Sequence, residues 1–167
     1  FVNGSSLIYF SNSSSLVLAT ASSIISLIGR TCSINSIGIS VALVCSPSKI
    51  VEITGPTVMG ERLNPTGRKP LQDALISGNL DYVVSLGLDQ VEEGAEILNM
   101  NVGLPEIDEK AMMPKVIKTL QEIINVPIQI DSSNADALEQ GLRYYNGRTI
   151  VNSVNGKEES LNKILPL

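Results

Sequence analysis

Asp131 is the residue of this chain best placed to do chemistry. It ends the apolar run Pro127-Ile128-Gln129-Ile130. A carboxylate in that position can accept two parallel hydrogen bonds, one from a ring N–H and one from an exocyclic amino group. Asn152 closes the run Thr149-Ile150-Val151 in the same way, and its amide both donates and accepts. Asn101 closes Ile97-Leu98-Asn99-Met100, and Asn99 points to the same side of an extended chain as Asn101. Asn64 lies in Asn64-Pro65-Thr66-Gly67, a turn by its own chemistry. A rim of carboxylates and amides suits a flat heterocycle rich in hydrogen-bonding groups. It does not suit a phosphate, a metal or DNA. Each residue also has a plainer role: Asp131 as the cap of the following helix, the asparagines as turn residues. Glu61 and Arg62 read as a mutual pair or as solvated charges, and Lys69, Lys110, Lys115 and Lys118 as surface charges.

These strand ends need elements to hold them. From residue 57 the pattern reads strand, helix, strand, helix, strand, helix, strand, helix. Thr57 to Leu63 is the first strand. A helical stretch from Pro70 towards Gly94 follows, broken at Gly78-Asn79. Ala95 to Asn101 is the second strand. Pro114 is unwelcome inside a helix, so the next helix is expected from Met112 to Ile124, with Val116, Leu120, Ile123 and Ile124 on its buried face. Pro127 to Asp131 is the third strand. Ser133 or Asn134 caps a helix that buries Ala137, Leu138 and Leu142. Thr149 to Asn152 is the fourth strand, and a helix opening with Glu158 and Glu159 follows. Such alternation implies a parallel sheet. Polar residues at the C-terminal ends of its strands are the hallmark of barrel sites. Neither a G-x-G-x-x-G nor a G-x-x-x-x-G-K-[ST] sequence is present, which disfavours dinucleotide and P-loop folds. A complete (β/α)8 barrel needs about 250 residues, so residues 57–167 supply about half of one.

Composition narrows the chemistry further. The 167 residues allow one domain of ordinary size. There is no His, which removes the Ser/His/Asp triad and most zinc sites. The net charge of −5 argues against nucleic acid and against an anionic membrane surface. Cys32 and Cys45 form no CxxC pair, which points away from disulfides and metal and towards a reducing, cytoplasmic compartment. Before Glu52 there is no acidic residue and Ser is frequent. The apolar stretch from Leu16 to Ile28 is shorter than the about 20 residues a membrane span needs. Val41–Cys45 and Lys49–Ile53 read as short extended segments. Residues 1–55 are therefore expected to be the loosely ordered tail and linker of an upstream module, and 56–167 the first half of a barrel. Phe1 at the start and Leu165-Pro166-Leu167 at the end read as a fragment of a longer protein.

Residues 57–167 resemble the N-terminal half of a pterin-binding domain. The nearest resemblance is to the methyltetrahydrofolate-binding module of cobalamin-dependent methionine synthases, in their shorter bacterial form. It is carried by Met59-Gly60-Glu61-Arg62-Leu63-Asn64-Pro65-Thr66-Gly67, by Asn101-Val102-Gly103-Leu104-Pro105-Glu106-Ile107-Asp108-Glu109, by Gln129-Ile130-Asp131-Ser132-Ser133 and by Asn152-Ser153-Val154-Asn155-Gly156-Lys157-Glu158-Glu159. The resemblance implies a (β/α)8 barrel with the pterin in its C-terminal mouth. Asp131 would bind the pyrimidine edge, Asn152 the same ring, and Asn64, Asn99 and Asn101 would line the site. Methyltetrahydrofolate would be the substrate. Its N5 methyl would pass to cob(I)alamin on a partner module and then to homocysteine, whose zinc-bearing module lies upstream.

Three departures stand out. The family usually has Asp where this chain has Asn99, so Asn99→Asp is expected to strengthen folate binding in a full-length version. The second half of the barrel is missing, and residues 1–40 show no Cys pair for zinc, so the chain alone is expected to be inactive. Related readings are a corrinoid/iron–sulfur protein methyltransferase and a dihydropteroate synthase-like enzyme. A third is an inactive gene fragment.

Overall fold

A computed structural model describes residues 5–8 and 42–167. Expectations placed on the other residues, including Cys32 and the upstream tail, lie outside this range. Four strands, β4 (Thr57–Leu63), β5 (Ile97–Asn101), β6 (Ile128–Asp131) and β7 (Val151–Asn152), run parallel and lie side by side in chain order. A doubly wound sheet would reverse its order at a switch point. Winding in one direction is the barrel pattern, and the sheet is the open arc of such a barrel. The backbone of β1 (Ser5–Ile8) pairs antiparallel with the outer edge of β4.

Alternation divides the strand side chains between two faces. Leu98, Met100, Ile128, Ile130 and Val151 face the helices and share one core with Leu71, Val83, Met113, Ile117, Leu120 and Leu138. Those helices are α1 (Lys69–Ser77), α2 (Leu80–Glu92), α3 (Glu109–Ile123) and α4 (Ala135–Tyr144), with α5 (Glu158–Ile164) closing the described chain. Gly78 ends α1 in the left-handed region at φ 71°, and the Asn79 side chain accepts from the Tyr82 N–H to start α2, as the Gly78-Asn79 break predicts. Asn134 caps α4 by accepting from the Asp136 and Ala137 N–H groups.

Two expectations about α3 are corrected. The helix begins at Glu109, a turn before Met112, and contains Pro114. Asp108 caps it by accepting from Lys110 and Ala111 N–H groups. Pro114 comes soon after the first turn, so it forfeits only the bond to the Lys110 carbonyl, on an exposed residue that water can reach. Ile123 is 56 % exposed. The apolar stripe drifts around the helix, and at its C-terminal end the buried face is centred on Leu120 and Ile124. Met113 and Ile117 complete that face.

The two extended segments before residue 55 form an antiparallel hairpin, β2 (Ala42–Cys45) and β3 (Ile50–Ile53). Where the sequence reads as a loose linker, Val44, Val51 and Ile53 pack with Met59, Ile97 and Ile150 in a second core on the inner face of the sheet, at the N-terminal ends of its strands. Cys45 exchanges backbone hydrogen bonds with Arg148. The Tyr145 hydroxyl donates to the Cys45 carbonyl (2.9 Å) and accepts from the Ile128 N–H (3.1 Å). Burial there pushes the Tyr145 pKa up to about 12. Gly147, at φ 140°, lies against the Cys45 carbonyl where a Cβ would collide. Gly147→Ala is therefore expected to cost about 2–3 kcal/mol, read as a lower urea midpoint. An unchanged midpoint would mean the hairpin contributes little.

Candidate functional site

The inner face changes character one layer above the second core. The β5–β6 register sets Asn99 beside Gln129 and Asn101 beside Asp131, and Asp131 in turn pairs with Asn152. Glu61, two residues beyond Met59, joins them from β4. Helices cover the other face, so this face alone can present polar groups to a ligand.

Asn99 is the hub. Its Nδ2 donates to Glu61 Oε1 (2.9 Å) and to Asp131 Oδ2 (3.2 Å), and its Oδ1 accepts from Gln129 Nε2 (2.6 Å). Asn64 Nδ2 also donates to Glu61 Oε1, at 3.1 Å, while its Oδ1 accepts from the Thr66 N–H to hold the turn. Asn101 Oδ1 accepts from the Gly103 N–H (2.7 Å). Burial pushes the Asp131 carboxyl above the usual carboxylate range. Hydrogen bonding from Asn99 and Asn101 opposes that push, and the charge of Glu109 adds to it. Burial also raises the Glu61 carboxyl. The Asn64 and Asn99 amides and the Arg68 charge draw it down, and Asp131 pushes it up. The two acids can stand this close because one neutral amide offers a hydrogen to each.

The five residues singled out in the sequence thus meet at one end of the sheet, with Asp131, Asn99 and Asn64 joined in one network. Asn101 and Asn152 flank it. The turn roles also hold, because Asn64 and Asn101 each bond a nearby backbone N–H. Asp131 does not cap α4; Asn134 does. Glu61 corrects the reading that it pairs with Arg62. Arg62 instead pairs with Glu93 on the outer face, and its N–H donates to Gln90 Oε1 (2.7 Å). Gln129 also escaped notice. Period-two alternation back from Asp131 on β6, and on from Met59 on β4, would have found both. Ser132 and Glu109 form a further link that no motif announced, with Ser132 Oγ donating to Glu109 Oε2 at 2.6 Å.

A concavity of about 400 Å3 opens beside the network, lined by Thr66, Asn101, Gly103, Glu109 and Ser132 among others. A groove of about 670 Å3 between α4 and α5 is larger, but its polar residues, such as Asp136, Glu139 and Lys163, are surface groups away from the buried network. The smaller one is the better candidate mouth, since buried and desolvated polar groups mark sites better than volume does. Among the described residues no three His, Cys, Asp or Glu side chains come together as metal ligands, and no helix is long and apolar enough to cross a membrane.

Parallel strands wound in barrel order, with amides and carboxylates at their C-terminal ends, define an α/β protein built to hold a small, hydrogen-bonding ligand. A family model described as pterin binding enzyme matches residues 60–166. The chain belongs to the pterin-binding enzyme family.

Proposed function

We propose that this chain binds methyltetrahydrofolate for methyl transfer to a corrinoid, as the first half of the folate module of a cytoplasmic, cobalamin-dependent methionine synthase. The observation that carries this reading is the amide of Asn99 shared between Glu61 and Asp131. It presents two half-buried carboxylates as acceptors joined by one neutral amide. Such a pair suits the N–H and amino groups of a pterin. The same pair would grip the pterin of a dihydropteroate synthase substrate, so the choice of a methyltransferase is supported by the motif resemblance, strongest from Gly60 to Gly67.

In this reading Asp131 accepts from the pyrimidine edge and Asn152 contacts the ring from the fourth strand. Glu61, held by Asn64 and Asn99, faces the ring from the first strand, and Asn101 flanks Asp131. The chain's contribution is orientation and electrostatics. The corrinoid that supplies the methyl-accepting metal would arrive on a partner module. Homocysteine and its zinc would belong to an upstream module, with any tail or linker to it before Ala42, since the hairpin at 42–53 packs into this domain.

Calorimetric titration with 5-methyltetrahydrofolate and with 6-hydroxymethyl-dihydropterin diphosphate tests the assignment. Preferential binding of the methylated folate is the expected result. Preference for the diphosphate would move the chain to the synthases, and binding of neither would leave an inert remnant.

A further inference from the structure

Gln129 is 2 % exposed, and its Oε1 is buried without a hydrogen-bond partner. The orientation of its amide is fixed by the network. Asn99 cannot turn over, because that would set its Oδ1 against two carboxylates in place of its Nδ2. With Asn99 fixed, Gln129 must present Nε2 to Asn99 Oδ1, and its own oxygen is left over. That oxygen belongs to the inner face, two residues and so about 7 Å along the strand from Asp131. Asn152 Oδ1 is the other buried side-chain acceptor without a partner among the described residues. Buried acceptors are nearly always satisfied, so two lone ones beside one carboxylate point to donors that come with a ligand.

We propose that Gln129 is a ligand-contacting residue whose Oε1 accepts a hydrogen from the amino group of the bound pterin. The inference rests on the pterin reading above and deepens it. The N–H and amino group of a pyrimidine edge carry three hydrogens in all. Asp131 takes one from each group, which leaves the second amino hydrogen. Gln129 Oε1, one layer deeper on the same strand, is the acceptor that receives it. The Nε2 of this amide already serves Asn99, so it is the unpartnered Oε1 that marks a selectivity for ligands bearing an amino group.

The test compares 6-methyltetrahydropterin with its 2-desamino analogue, using the wild-type chain and Gln129→Met. Met keeps the length and loses the acceptor along with the Nε2 donor to Asn99, and loss of that donor alone would weaken both ligands equally. The variant is expected to lose about tenfold in affinity for the pterin and little for the analogue, so that the preference narrows. Equal losses on both ligands would make Gln129 a packing residue, and an unchanged pterin affinity would remove it from the site; either overturns the proposal. A second readout needs no variant. The side-chain carbonyl 13C resonance of Gln129 in the wild type should shift with the pterin and stay in place with the analogue, and identical behaviour with both would overturn the proposal. If the wild type binds neither 5-methyltetrahydrofolate nor the pterin, the pterin reading itself falls and the assignment of Gln129 falls with it.

Discussion

Asp131→Asn should lose pterin affinity by about 100-fold or more while making the unliganded chain more stable at neutral pH. The loss follows because an amide can accept one hydrogen of a paired N–H and amino edge but faces the other with its own NH2. Hydrogen bonds to a charged group are worth up to about 3 kcal/mol, which is roughly two powers of ten in affinity. The gain in stability follows from the direction of the pKa shift. Burial raises the Asp131 carboxyl in the folded chain, so the folded state holds its proton more tightly than the unfolded state does. Its unfavourable contribution is absent below the ordinary carboxylate range and grows as pH rises through the raised folded value. Asn carries no such penalty. Urea unfolding across pH should give a wild-type stability that declines as pH rises through that window, and a flatter profile for the variant. Ligand binding should run the other way, weakening as pH falls and Asp131 takes up its proton. A variant that bound normally would remove Asp131 from the site. One that was less stable at neutral pH would show that its carboxylate is better compensated than its burial implies.

Asn99→Asp is expected to destabilise the chain by about 3 kcal/mol at neutral pH, the order found when a buried charge is left uncompensated. The resemblance alone pointed elsewhere, to tighter folate binding from a restored family carboxylate. The hydrogen bonds revise that expectation. Asn99 gives one hydrogen to Glu61 and one to Asp131, and an ionised aspartate has none to give. Three carboxylates would then meet, with Gln129 Nε2 the donor left from the hub. The deficit should shrink as pH is lowered from roughly 8 towards 5, because protonation restores an O–H donor among the acids. Equal unfolding midpoints for wild type and variant at neutral pH would mean that the network relaxes around the new charge. Tighter folate binding by the variant would restore the original expectation.

Much of this site was legible in the chain. Strand ends at Asn101, Asp131 and Asn152 stood out because each closes an apolar run, and parallel order followed from the alternation of strand and helix. What stayed hidden was sidedness. Glu61 is followed at once by Arg62, and adjacent opposite charges read as a pair. In a strand they point to opposite faces, one to the site and one to Glu93. Gln129 was hidden among apolar neighbours. Its side of the sheet follows from alternation back from Asp131, but its partner, Asn99, is set by a long-range register that no local pattern contains. The start of α3 lies earlier than its proline suggests, for a different reason. Pro114 draws the expected start towards itself, whereas the Asp108 side chain caps the helix and decides where it begins. The two extended pieces at 42–53 are legible in the sequence, but only tertiary packing against Met59 and Ile97 makes them part of the fold.

That hairpin bears on how the protein can be cut and how it can be inherited. The segment matched by the family begins at Gly60, yet the Tyr145 hydroxyl ties Cys45, well before it, to Ile128 on the strand that carries Gln129 and Asp131. A gene trimmed to the matched segment would lose the acceptor of that phenol and one wall of the core beneath the site. The stretch that identifies the family is thus shorter than the stretch that packs around the site, and a recombination point between modules is harmful between the hairpin and Thr57.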